Sequence, residues 1–229
     1  SIKLIGRGGV GMDNIDVEYA KSKGIHVINT PSASSLSVAE LVFAHLFSMM
    51  RHTYHSNRTM PLEGDFNFKI LKNNYSKGRE LKGKKIGIIG FGRIGQEVAK
   101  IGIGLGMEVF FFDPYIDEKK ISIQFYDKQY VAFNLKKTGL IELLKNVDIL
   151  TIHIPQQKNP LINKKELKNM KKGAFVINTS RGGIINEKDL ISCLNEQHIK
   201  CAGLDVFDNE PNPNLEILMN EHISLSPHI

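Results

Sequence analysis

Lys85-Ile86-Gly87-Ile88-Ile89-Gly90-Phe91-Gly92-Arg93-Ile94-Gly95 is the stretch on which the reading of this chain turns. An isoleucine-rich strand runs into glycines spaced G-x-G-x-x-G, and a helical stretch follows to Leu105. The glycine spacing alone is common; a strand before it and a helix after it make it specific. Gly90 permits the tight turn, Gly92 lets backbone approach a pyrophosphate, and Gly95 allows the helix to pack closely on the strand. The helix N-terminus turns its free amide groups toward the anion, and Arg93 adds a charge-assisted contact to the same phosphates. A plain strand-turn-helix corner is the competing reading, and the dinucleotide site is preferred. The next strand, 108–112, ends in Asp113, about the twenty residues downstream where a carboxylate accepts from the adenosine ribose and repels a 2′-phosphate. The expected cofactor is therefore NAD, not NADP. Asp113-Pro114 is also a good turn starter, which is compatible with that role.

Working outward, short apolar runs alternate with helical stretches. Strands are expected at 85–89, 108–112, 147–152, 174–178, 201–207 and 223–225, and helices at 93–105, 140–145, 164–170 and 187–195. Continuously apolar strands are those buried on both faces, so the fold class is α/β, a doubly wound, Rossmann-type parallel sheet. Gly106 suits a helix C-cap; Gly102 and Gly104 cost helix propensity and are explained only by close packing on the sheet.

Upstream, Ser37-Val38-Ala39-Glu40 matches a capping box and opens a helix to about Arg51 whose apolar residues cover more than one stripe. Such a helix is buried on several sides, inside the domain or against a second subunit, and a homodimer is expected. Residues 52–81 show no clear period and are expected to form an arm or loop with a short helix. Residues 1–30 read as a small β/α piece of a partial second domain, leaving 31–229 as the cofactor domain, with its dimerisation helix and arm at about 37–81.

The net charge of +6 is spread over interspersed Lys, Arg, Asp and Glu, so no nucleic-acid partner is expected and an anionic small molecule is. Cys193 and Cys201 form no C-x-x-C pair, which fits a reducing compartment. No signal-peptide pattern and no membrane-spanning run are present, so a cytoplasmic location is expected. His52 and His55 have H-x-x-H spacing without a third ligand, and no metal site is assigned. The first residues read as mid-strand and the last follow a strand directly, so both ends are expected to be cut.

In open α/β sheets ligands bind outside the carboxyl ends of the strands. The unusual polar residues collect there: Asp113, His153, Thr179 to Arg181, Asp205 and His228. Arg181, before Gly182 and Gly183, is placed to hold a substrate carboxylate and polarise an adjacent carbonyl; a surface salt bridge is its bland alternative. Hydride transfer to a ketone needs a proton, which His228 suits near neutral pH, and Glu210 would orient it. Asp205 is placed to accept from a nicotinamide amide. Taken singly, Glu210-Pro211 reads equally as a loop and His228 as an exposed side chain.

These residues resemble the D-isomer-specific 2-hydroxyacid dehydrogenase family. The matching pieces are the run Gly6 to Asp16, Asn29-Thr30-Pro31, Ser37 to Leu41, Gly90 to Gly95, Asn178 to Ile185, Gly203 to Phe207, Glu210-Pro211 and Pro227-His228, in the family's order. The resemblance implies a flavodoxin-like substrate domain, here partial, and catalysis by Arg181, Glu210 and His228. It implies an NAD site lined by Val10, Arg93, Ile94, Asp113, His153, Ile154, Pro155, Thr179, Ser180 and Asp205. It also implies a substrate site at Arg7, Gly8, Gly9, Val10 and Arg181. The first run and the Asn178 run look most like members acting on D-3-phosphoglycerate, with hydroxypyruvate and glyoxylate as near alternatives. Glu210 argues against the formate-oxidising members, which carry Gln there. A non-catalytic, NAD-sensing regulator resembling the family's corepressors is the reading from another class. Members of the family have a segment before and a stretch after this chain, so the piece alone is expected to bind NAD with slow or no turnover.

Overall fold

The computed structural model describes residues 2–229; Ser1, within the first expected piece, lies outside the described residues. In chain order the elements are β1 Leu4–Arg7, α1 Val17–Ser22, β2 His26–Asn29, α2 Ser35–Met50, α3 Thr53–Glu63, α4 Phe68–Tyr75, β3 Lys85–Ile89, α5 Arg93–Gly104, β4 Glu108–Phe112, β5 Glu118–Gln124, β6 Tyr130–Lys136, α6 Leu140–Asn146, β7 Ile149–Ile152, α7 Lys164–Asn169, β8 Ala174–Asn178, α8 Glu187–Asn195, β9 Ile199–Leu204, α9 Leu215–Leu218 and β10 Ile223–Leu225. Six of the strands form one parallel sheet in the order β10-β9-β8-β7-β3-β4. β1 and β2 pair in parallel apart from it, joined by α1 as a β-α-β unit.

The period of two along each strand sorts side chains between two helical layers. Ile86, Ile88, Ile149, Phe175, Ile177 and Cys201 face a core shared with α2 and α5. Ile89, Leu150, Ile152, Val176 and Ala202 face the opposite core, made with α6, α7 and α8. With both faces covered, the strands carry apolar residues at every position, which is why they read as continuous runs. Gly87 has a packing reason: a Cβ there would stand 2.6 Å from Leu143 Cδ2 and 2.9 Å from Val147 Cγ1, so glycine lets α6 close onto the sheet. Both cysteines are buried and free, and burial raises both thiols above their ordinary range.

Several expectations need correction. α2 begins at Ser35, with Ser34 at its N-cap, and no side-chain cap bond forms. The Val38 amide already donates to the Ser34 carbonyl at 3.0 Å, so no free amide remains for a Ser37 capping box. α2 lies within the domain, with Val42, Phe43, Leu46, Met49 and Met50 buried on α5 and the sheet. Residues 52–81 hold two helices, not a loop with one short helix. α3 buries no side chain and α4 only Leu71, so neither carries a buried stripe from which a period could be read. Between 114 and 139, where sequence reasoning assigns no element, an antiparallel hairpin of β5 and β6 stands. Its turn is closed by Lys128 at φ 69° and by Asp127, whose Oδ1 accepts from the Gln129 amide at 3.1 Å. The expected strand ends at 147 and 207 draw in to Ile149 and Leu204. Among the described residues no helix is long and apolar enough to cross a membrane.

Candidate active site

The direction of the sheet reverses between β3, followed in sequence by neighbouring β4, and β7 on its other side, and the glycine turn sits at that switch. Gly90 adopts φ 89°, and a Cβ on it would fall 2.3 Å from the His153 carbonyl oxygen and 2.8 Å from Ile154 Cγ2. A Cβ on Gly95 would fall 2.2 Å from the Gly90 carbonyl oxygen, so α5 starts hard against the strand. Gly92, by contrast, faces open space at the helix N-cap, with the exposed Arg93 first in α5 and half-buried Ile94 behind it. Asp113, almost wholly buried, does something sequence reasoning did not see: its Oδ2 accepts from the Phe91 amide and its Oδ1 from the Tyr115 amide, both at 2.8 Å. It latches the glycine turn to the end of β4, and the Phe91 ring stacks on Phe111 with centroids 3.9 Å apart. Each carboxylate oxygen keeps a lone pair free for a ribose hydroxyl.

Two buried polar atoms beside this turn have no partner among the described residues, His153 Nδ1 and Thr179 Oγ1. His153 Nε2 lies 2.9 Å from Thr151 Oγ1, and burial pushes the imidazole down to about 3, so the ring is neutral. An orphaned buried polar group costs about 1–3 kcal/mol. Both orphans lie at carboxyl ends of strands next to an open, glycine-lined anion cradle, an arrangement that fits a bound dinucleotide. Pro155 is exposed beyond them. Asn178, buried at the end of β8, organises the next turn: its Oδ1 accepts from Ser180 N and Oγ at 3.1 and 2.8 Å, and its Nδ2 donates to the Arg181 carbonyl at 2.9 Å.

Glu210 and His228 are in contact, with Glu210 Oε2 2.8 Å from His228 Nδ1, while Glu210 Oε1 accepts from the Phe207 amide at 2.9 Å. Both line a cavity of about 440 Å³ with Phe207, Pro213 and Leu225. The Arg181 loop is locked onto the Glu210 loop. A Cβ on Gly182 would stand 1.8 Å from the Phe207 carbonyl oxygen, and the Gly183 amide donates to Asp208 Oδ1 at 2.6 Å. Asp205, buried at the end of β9, accepts through Oδ1 from Ser226 Oγ at 2.5 Å and from the Ile229 amide at 3.1 Å, which brackets His228.

The loop after β1 approaches from the separate β-α-β unit. The Gly9 amide donates to Thr30 Oγ1 at 2.8 Å, the Val10 carbonyl accepts from Asn29 Nδ2 at 2.8 Å, and Gly8 faces open space. Arg7 Nε donates to the Gly11 carbonyl at 3.3 Å, so this side chain is folded onto its own loop. The contact that sequence reasoning missed is Asp13: Arg181 Nε donates to Asp13 Oδ2 at 2.8 Å, and Arg181 Nη2 lies 2.7 Å from the same oxygen. Gly11 leaves the space for that guanidinium. Asn178 carried a readable turn signal, a strand-ending Asn before Gly-Gly. Asp13 carried none, because its partner lies far along the chain.

Comparison with known proteins bears on this geometry. The family model for the D-isomer specific 2-hydroxyacid dehydrogenase NAD binding domain matches residues 43–229. The chain is 38% identical to a hydroxypyruvate reductase of Thermotoga maritima, over all of this chain and 71% of that protein. It is 38% identical to a D-3-phosphoglycerate dehydrogenase of Methanocaldococcus jannaschii, over 99% of this chain but only 41% of the relative's length. Among solved structures, a glyoxylate reductase from Paecilomyes thermophila superposes with a TM-score of 0.80 at 29% identity, over all of this chain and 66% of that one.

Proposed function

This chain belongs to the D-isomer-specific 2-hydroxyacid dehydrogenase family, its cofactor is NAD, and from that premise we propose that it interconverts a D-2-hydroxy acid and its 2-keto acid. D-3-phosphoglycerate and 3-phosphohydroxypyruvate are the favoured pair. The observation that carries the reading is the Glu210–His228 contact at 2.8 Å on the wall of a cavity. NAD, when bound, supplies or takes up the hydride. Gly90, Gly92, Arg93, Ile94 and Gly95 would hold its phosphates, Asp113 the ribose, and Val10, His153, Ile154, Pro155, Thr179, Ser180 and Asp205 the remainder.

The carboxylate of Glu210 only accepts, so the His228 Nδ1 proton points to it and Nε2 is left to exchange the substrate proton. In reduction, protonated His228 gives its Nε2 proton to the carbonyl oxygen as hydride reaches the carbon. The ring then rests neutral in its Nδ1–H form. Arg181 binds the substrate carboxylate and polarises the neighbouring carbonyl, aided by backbone amides around Gly8, Gly9 and Val10, with Arg7 nearby. We assign residues 1–30 to the substrate domain and 31–229 to the NAD-binding domain. The outward apolar side chains of Leu62, Phe66, Phe68 and Ile70 support dimerisation through the 37–81 region, which light scattering at low concentration tests.

Hydroxypyruvate is the second substrate reading, favoured by the Thermotoga maritima relative, whose length this chain covers more fully. Following NADH oxidation by the intact protein with phosphohydroxypyruvate, hydroxypyruvate and glyoxylate separates the readings. No turnover with any of them despite tight NADH binding would overturn the enzyme assignment and favour an NAD-sensing regulator. His228→Ala is expected to reduce turnover by about 10²-fold or more with NADH affinity little changed; equal losses in both would mean a structural role.

A further inference from the structure

His45 belongs to none of the site residues assigned above. It sits in the interior of α2, 5% exposed, in space that Gly203 leaves open: a Cβ on that glycine would stand 3.0 Å from His45 Cβ. Both ring nitrogens are engaged, Nδ1 with Ser224 Oγ and Nε2 with Ser226 Oγ, each at 2.9 Å. Ser226 Oγ in turn meets Asp205 Oδ1, the oxygen that also accepts from the Ile229 amide.

Donor inventory gives this chain of contacts one direction. A carboxylate only accepts, so the Ser226 hydroxyl proton points at Asp205. Ser226 Oγ then offers His45 only lone pairs, and Nε2 must carry the imidazole proton. Burial, outweighing the nearby Asp205 charge, holds the ring below its ordinary range and hence neutral. Nδ1 is therefore bare and accepts from the Ser224 hydroxyl. The order is Ser224 to His45 to Ser226 to Asp205, every donor spent once.

The far end of this wire brackets the Ser226-Pro227-His228-Ile229 segment. His228 has φ 56°, a left-handed conformation that a non-glycine side chain keeps only where its surroundings over-determine it. We propose that His45 is a positioning residue for His228: through Ser226 and Asp205 it holds the segment that keeps His228 Nδ1 on Glu210. The proposal rests on the assignment of His228 as the proton donor.

Side-chain nitrogen NMR of the intact protein tests it without substrate. His45 should appear as the neutral Nε2–H tautomer, and neutral His228 as Nδ1–H. In His45→Phe, which fills the space without hydrogen bonding, neutral His228 should drift toward the Nε2–H form that free imidazole side chains prefer. His45→Gln, able to donate to Ser226, should restore Nδ1–H. Ser226→Ala, which cuts only the link, repeats the Phe result should His45→Phe not fold. In the NADH assay His45→Phe should lower kcat about ten-fold, with NADH Kd within about two-fold and partial rescue by Gln. An unchanged Nδ1–H His228 in both cut variants overturns the proposal, as does a charged or Nδ1–H His45 at neutral pH in the parent protein. Tautomers as expected with no keto-acid turnover would instead overturn the enzyme assignment and leave the wiring supported.

Discussion

Arg181 meets Asp13 through its side, Nε and Nη2 sharing one carboxylate oxygen, while Nη1 donates to the Ser180 carbonyl at 2.7 Å. A guanidinium has five N–H groups, so at least two remain for a substrate carboxylate, in a plane that Asp13 sets. Asp13 is more than half exposed, and such pairs contribute at most about 1 kcal/mol to stability; the effect expected is geometric. Asp13→Asn should raise the keto-acid KM about ten-fold, leaving NADH Kd and melting temperature nearly unchanged. A parent-like KM would show that Arg181 needs no orienting partner. Asp113 carries two duties, and its loss should show both. Asp113→Ser should raise the NADPH-to-NADH rate ratio while lowering stability by about 1–3 kcal/mol, because the Phe91 amide loses its acceptor in a buried site. Stability loss with unchanged cofactor preference would leave Asp113 with the latch alone.

Among the elements, α5 shows how three glycines with the same letter have different reasons. Gly95 cannot take a Cβ without moving the Gly90 carbonyl, so Gly95→Ala should push the helix off the phosphate turn and abolish measurable NADH binding. Gly102 is buried against Ile86, Val109 and Phe43 at ordinary contact distance, 3.5 Å and beyond, so close packing accounts for it. Gly104 meets nothing, and no structural reason for it is visible; Gly104→Ala should stabilise by about 0.4–1 kcal/mol by restricting the unfolded chain. Gly87→Ala should cost about 1–3 kcal/mol by overpacking α6. Thermal melts of Gly104→Ala and Gly87→Ala check both signs, and a destabilised Gly104→Ala would contradict the open space seen there. The same scale explains the arm: α3 and α4 face outward in the single chain, so their helical character left no apolar period to read.

For the molecule as a whole, buried neutral histidines couple folding to pH. Burial lowers His45 and His153 below the ordinary 6.5, and His153 to about 3. The unfolded chain takes up protons on these rings as pH falls through the ordinary range, and the folded chain does not. Stability is therefore full above that range and declines below it, by about 1.4 kcal/mol per pH unit for each ring until the folded ring titrates. Urea unfolding at pH 7 and 5.5, above the carboxylate range, should show the decline, and His153→Gln should show less of it; a flat profile in the parent would mean these rings are not held neutral. The sequence by itself determined the parallel α/β sheet and the phosphate turn, because strand burial and a G-x-G-x-x-G corner are written in neighbouring residues from Lys85 to Gly95. It also marked Asp113, Arg181, Glu210 and His228, since strand ends are where an open sheet collects ligand-facing groups. Only the tertiary structure decided what each of them touches. Asp13 on Arg181, Asp113 on the Phe91 amide, and the path from His45 to Asp205 join groups distant in sequence, and no local spacing encodes a partner. The failed Ser37 capping box and the unassigned β5–β6 hairpin have the same cause. Whether a local signal is used depends on which amide or face the rest of the fold has left free.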